Sequence, residues 1–118
     1  MSLKVLIERR VPKDKQTEAL TLLTQIRAAA SIQPGYISGE TLRNQDNPEE
    51  YIVISSWHSL EDWNNWKATE ERASIQGRID SLLGSPTQYR VFTYPEKQRV
   101  DWANFWDNVM DKTVGSGD

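Results

Sequence analysis

Apolar residues recur every second position at the start of the chain. Leu3, Val5, Ile7 and Val11 share one parity, Lys4, Glu8 and Arg10 hold the other, and Leu6 and Arg9 interrupt the pattern. That period of two predicts a strand to about Val11. Pro12 suits the start of a helix, and Ala19, Leu22, Leu23, Ile26 and Ala30 then repeat at three-and-four spacing, an apolar stripe down one side of a long helix. Pro34-Gly35 stops it. Two further strands are predicted, Tyr36 to about Arg43 and Tyr51 to about Trp57. The intervening Asn44-Gln45-Asp46-Asn47-Pro48 supplies side chains that bond their own backbone, so the two strands pair as a hairpin.

Ser59 followed by Asp62 reads as a helix cap with an acidic third residue, opening a helix with Leu60, Trp63 and Trp66 on one side. Thr69 with Glu70 and Glu71 reads as a second cap, so the helix breaks there and restarts with Ile75, Ile79, Leu82 and Leu83 inward. After Gly84-Ser85-Pro86 a fourth strand runs from Tyr89 to about Tyr94, with Tyr89, Val91 and Thr93 on one face. The order β-α-β-β-α-β is the split βαβ pattern, which predicts an α+β, ferredoxin-like domain over residues 1–96 with an antiparallel four-stranded sheet. Residues 97–118 form an extension in which Asp101 caps an amphipathic helix bearing Trp102, Trp106 and Val109, followed by a glycine-rich tail.

Composition narrows the function classes. The 118 residues build one core. The longest apolar runs, such as Ile52-Val53-Ile54, are far too short for a membrane span or a signal peptide, so a cytoplasmic protein is expected. The absence of cysteine removes thiolate chemistry, Cys-ligated metals and iron–sulfur clusters. A net charge of −3, with 14 scattered Lys and Arg, argues against nucleic acid as a partner. The C-terminal stripe lacks the basic face that membrane-surface helices use. A lone His, with no carboxylates in register beside it, argues against a metal site.

Three stretches resemble antibiotic biosynthesis monooxygenase (ABM) domains of the dimeric α+β barrel superfamily. They are Val5-Leu6-Ile7-Glu8-Arg9-Arg10-Val11, Gln33-Pro34-Gly35-Tyr36-Ile37-Ser38-Gly39-Glu40, and Tyr51 through Trp66. The resemblance spans about residues 3 to 94. It implies a homodimer in which two sheets face each other, with a pocket in each subunit between sheet and helices. It also implies oxidation of a small aromatic or quinol-like substrate by molecular oxygen, with no metal, flavin or other cofactor. The residues favour pairing independently. One face of the sheet carries Leu6, Ile52, Ile54 and Phe92, too apolar to face water.

Such chemistry needs an apolar pocket for a flat phenol, a base, and donors for an oxyanion. The resemblance places Trp66 in the pocket, where an indole can stack on a ring and donate. Trp66 also falls with Trp63 on a stripe that ordinary core packing would produce, and helical spacing does not separate the two readings. Asn65 is a candidate donor in catalysis and Asn64 in substrate binding, though helix surfaces carry exposed Asn routinely. Arg9 shares the inner face of the first strand with Val5 and Ile7, where a charge must pair, snorkel or bind an anion. His58 is the only side chain with an unperturbed pKa suited to base catalysis near neutrality, yet it sits just before a cap, where side chains face solvent. Tyr51 either points into the pocket with Trp63 or packs at the sheet edge.

Two other classes stand beside the monooxygenase. One is a non-catalytic module for small-ligand binding or dimerisation. The other is haem degradation, for which relatives in the superfamily use a strand Asn, a helix Trp and a His. Here the strand position falls at or beside Arg9 and the His position at Gln76, a poor axial ligand.

Overall fold

A computed structural model describes residues 2–95. Strand β1 (Leu3–Arg10) leads through a single 3₁₀ turn (Lys13–Lys15) into helix α1 (Gln16–Ser31). The hairpin β2 (Tyr36–Arg43) and β3 (Glu50–Trp57) follows, then α2 (Leu60–Lys67), α3 (Glu70–Leu83) and β4 (Gln88–Thr93). The strands lie in the order β2-β3-β1-β4, all antiparallel. This is the ferredoxin-like arrangement expected from the sequence. The extension expected to form a C-terminal helix lies outside the described residues.

The local chemistry behaves as the sequence implied at most joints. Ser59 Oγ accepts from the Asp62 amide at 3.1 Å and donates to the Asp62 carboxylate at 2.9 Å, closing the first turn of α2. Thr69 Oγ1 accepts from the Arg72 amide at 3.2 Å and donates to the Trp66 carbonyl at 2.8 Å. One hydroxyl therefore ends α2 and starts α3, and the bend it makes turns Arg72 back toward the sheet. A cap of this kind is worth about 1 kcal/mol. At Gly35, φ is +82°, and a Cβ there would collide with the Asp62 carboxylate, so the α1-to-β2 turn admits only glycine. Pro12 departs from expectation: it precedes the 3₁₀ turn, and the helix proper begins at Gln16. Leu60 also departs, at 50% exposed, as the first residue of α2.

One face of the sheet meets the helices. Leu3, Val5 and Arg9 of β1 and Tyr51, Ser55 and Trp57 of β3 are buried there, against Ala19, Leu23, Ala29 and Ala30 of α1 and Ile75, Ile79 and Leu83 of α3. The opposite face carries a run that crosses the strands: Leu42 and Ile52 are paired in register, as are Leu6 and Ile54, and Phe92 lies on β4. Leu42 and Phe92 are 45% and 49% exposed. Lys4, Arg90 and Glu8 edge this run, with an Arg90–Glu8 ion pair at 2.7 Å. No described helix is long and apolar enough to cross a membrane.

Candidate functional site

Between the sheet's inner face and the helices lies a cavity to which every strand and every α-helix contributes. It holds about 500 Å³ of atom-free space, some open to solvent, of which about 50 Å³ admits the centre of a water molecule. Ile7, Val53, Leu23, Ile26 and Ala30 supply apolar walls, and Trp63, Trp66, Tyr36 and Tyr89 supply aromatic ones.

The aromatic walls are held from behind by Trp57, which is fully buried at the end of β3. Its ring meets Tyr36 edge-on at 5.3 Å, meets Trp63 at 5.8 Å and stacks with Trp66 at 6.5 Å. Its Nε1 donates to Ser55 Oγ at 2.7 Å, which fixes the indole's direction. Trp63 in turn lies 5.9 Å from the Tyr89 ring. The five rings form one connected cluster, rigid because each is wedged by the next.

Three arginines line the cavity, Arg9, Arg27 and Arg72, and among the described residues no lining residue is acidic. Arg9 is 5% exposed. Its Nε donates to Thr87 Oγ1 at 3.2 Å and its Nη2 to Gln76 Oε1 at 3.0 Å. Both partners are neutral. Gln76 and Thr87 pass the contact on to Asp80, donating to its carboxylate at 2.9 and 3.3 Å. Arg72 is 8% exposed, with Nη1 on the Lys67 carbonyl at 3.2 Å and Nη2 on the Tyr89 hydroxyl. Arg27 donates to Thr41 Oγ1 across the cavity's β2 side. Removal from water pulls the Arg9 guanidinium below the ordinary arginine range, with the like charge of Arg72 acting in the same sense and Tyr89 and Asp80 opposing. Burial pushes the Tyr89 phenol above its ordinary 10.0, against the pull of Arg72 and Arg9. The phenol is therefore neutral near pH 7. Because its oxygen accepts from Arg72, its proton remains available to donate.

The structure brings Arg9, Trp63 and Trp66 together in the lining of this cavity. Tyr51 is buried beside them, in register with Arg9 on β3, but lies outside the lining. Asn64 and Asn65 are exposed on α2 and His58 is exposed between β3 and the Ser59 cap, so none of the three reaches the cavity wall. Helical geometry accounts for the asparagines: at about 100° per residue, positions 64 and 65 turn away from the side shared by 63 and 66. Gln76, the position considered for a haem ligand, has both amide atoms engaged by Arg9, Asp80 and Thr87. Arg72, Tyr89, Tyr36 and Arg27 were not singled out from the sequence. A signal for Arg72 was present, since it sits on the same helical stripe as Ile75, Gln76, Ile79 and Leu83, where a charge needs a reason.

The sequence matches the family model of antibiotic biosynthesis monooxygenases over residues 2–78. No curated protein matches it. Among solved structures, the chain is similar to a conserved protein from Methanosarcina mazei Go1, with 15% identity, a TM-score of 0.75 and coverage of 80% of this chain and 94% of that one. It is similar to SnoaB, a cofactor-independent oxygenase from Streptomyces nogalater, at 18% identity and TM-score 0.72, covering 82% and 96% respectively. Rv0793 from Mycobacterium tuberculosis shares 13% identity at TM-score 0.72, covering 84% of this chain and all (100%) of its own. At such identities the likeness is one of fold.

Proposed function

The chain belongs to the antibiotic biosynthesis monooxygenase family, and we propose that it is a cofactor-independent monooxygenase acting on a small phenol- or quinol-like aromatic with molecular oxygen. The observation that carries this reading is the cavity itself: an aromatic slot closed at one corner by two buried guanidinium groups and a neutral tyrosine hydroxyl. Trp63 and Trp66 hold a flat ring. Arg9, Arg72 and Tyr89 hold an anionic oxygen of the substrate, and in a dry site such donors act strongly. An electron-rich phenol held in this slot reduces oxygen directly, and its hydroxyl proton leaves in the water that forms. The reaction closes without an outside reductant, since one phenol and one O₂ give one quinone and one water.

The same reading includes a homodimer, with the apolar run of Leu6, Leu42, Ile52, Ile54 and Phe92 covered by the same face of a second copy. Self-complementary pairing of this kind is the common way to remove an apolar sheet face from water. It is also the pairing the family resemblance implies.

The test is oxygen consumption with a panel of hydroquinones and monophenols, comparing wild type with Trp66→Phe and Arg9→Ala. Expected are one O₂ per substrate, incorporation of one labelled oxygen atom from ¹⁸O₂, and a loss of at least about tenfold in kcat/KM for Arg9→Ala. Uptake that both variants support at the wild-type rate removes the site. If no substrate elicits uptake, the reading passes to a non-catalytic small-ligand binder.

A further inference from the structure

The cavity's charge balance specifies its ligand more narrowly than an aromatic ring. Arg9 and Arg72 are both buried, both line the cavity, and among the described residues their direct partners are a threonine hydroxyl, a glutamine amide oxygen, a backbone carbonyl and a phenol. None of these is an anion. The Asp80 carboxylate is separated from Arg9 by Gln76 and Thr87 and is itself exposed. Two neighbouring cations taken from water without a paired carboxylate are costly to the fold, and a buried ion keeps such a place only when something else supplies the countercharge.

The second observation concerns protons. Among the described residues, the cavity lining contains no Asp, Glu, His or Lys. Its titratable groups are three arginines and two tyrosines, and burial keeps the Tyr89 phenol protonated beyond its ordinary range. The walls can donate hydrogen bonds to an anion, but they have no group suited to making one by taking a proton near pH 7. A ligand matched to these walls arrives already ionised.

The third is size. The space open to the centre of a water molecule is about 50 Å³. That is well below the roughly 300–1,000 Å³ of pockets that hold drug-sized ligands, so the space suits a single ring. The topology adds a direction. Arg27 reaches Thr41 on β2, whereas Arg72 reaches Tyr89 on β4 at the other edge of the sheet, about 14 Å away from strand to strand. A ring between them has a cationic group at either end.

Deepening the oxygenase reading on which it rests, we infer that the substrate is a single-ring aromatic acid, a hydroxybenzoate-type anion, with its carboxylate at the Arg9–Arg72–Tyr89 corner. Its ring lies against Trp63 and Trp66, and its ring hydroxyl points toward Arg27 and Tyr36.

The probe pair is 4-hydroxybenzoate and its neutral isostere 4-hydroxybenzamide, titrated calorimetrically into the full chain without oxygen, at pH 7.5 and low salt. Wild type should bind the carboxylate roughly thirty-fold more tightly, as expected for charge-assisted bonds to a buried pair. Arg72→Gln should reduce that preference to about threefold, while Arg72→Lys keeps most of it. Thermal melting gives the same comparison on wild type alone, so the inference is decided even if Arg72→Gln does not fold: at equal concentration the benzoate raises Tm more than the amide. Equal affinities, no binding of either probe, or a preference that survives Arg72→Gln overturns it. Because binding is read anaerobically, the two readings fail separately. Carboxylate preference without oxygen uptake removes the oxygenase and leaves the acid site, whereas rapid uptake with neutral hydroquinones and none with aromatic acids does the reverse.

Discussion

Replacing Trp57 by Phe removes a residue that never touches the cavity and should nevertheless cost both stability and binding. Trp57 is fully buried, and its Nε1 is bonded to Ser55 Oγ, which sits in a residue only 6% exposed. Phenylalanine cannot donate that bond, and leaving a buried acceptor unpaired costs about 1–3 kcal/mol. The lost pyrrole volume, about 40 Å³ at roughly 24 cal/mol per Å³ of unfilled cavity, adds about 1 kcal/mol. The sum is about 2–4 kcal/mol. In urea, with a slope of about 1.5 kcal/mol per M for a chain this size, the midpoint falls by roughly 1.3–2.7 M. The assay is far-UV circular dichroism at one fixed protein concentration, since association would otherwise shift the midpoint. Ser55→Ala and the double variant complete a cycle that isolates the indole–hydroxyl bond. Trp57 also braces Tyr36, Trp63 and Trp66, so Trp57→Phe should weaken 4-hydroxybenzoate binding several-fold, although it removes no lining atom. A midpoint shift below about 0.5 M, with unchanged ligand affinity, would refute the view that one buried indole sets the walls of the site.

Two further outcomes are expected. Tyr89 is held above its ordinary 10.0, chiefly by burial, so its folded pKa exceeds its unfolded one. The linked stability is complete below pH 10.0 and is lost as pH rises through the folded value. In an ultraviolet titration of tyrosinate absorbance, Tyr89→Phe should delete a tyrosine that ionises above 10.0; loss of one that ionises below it instead contradicts the assignment. On the outer sheet face, Ile54→Lys should convert the proposed dimer to monomer in light scattering while the circular dichroism spectrum is kept. A monomeric wild type, or a variant that stays dimeric, removes that face as the interface.

Much of the fold was legible in the chain because it is encoded locally. The period-two pattern of β1, the three-and-four stripe of α1 and the Asn-rich hairpin loop each depend on residues a few positions apart. The Ser59 and Thr69 caps were legible for the same reason, including the break between α2 and α3. Parity also placed Arg9 on the buried face, and helical spacing put Trp63 and Trp66 on one side. Neither could say whether these three meet. That depended on the bend at Thr69, which carries Arg72 to Tyr89, and on the sheet order, which sets β1 next to β4 and brings Arg9 within reach of Thr87 and Gln76.

The same division explains the residues that chemistry alone suggested. Asn64, Asn65 and His58 have suitable functional groups, but the turn of α2 and the position before a cap direct them to solvent. Arg72 stands on the buried side of α3 and Tyr89 on β4, and only packing joins them. Sequence by itself determined the elements, their order and which side of each is apolar, since these follow from backbone periodicity and nearest-neighbour bonding. Only the tertiary structure decided that three arginines from three separate elements converge on one aromatic cavity with no acidic residue among the described residues of its lining. Countercharge is a property of the enclosed space and not of any segment that lines it, so no local pattern in the chain could have revealed it.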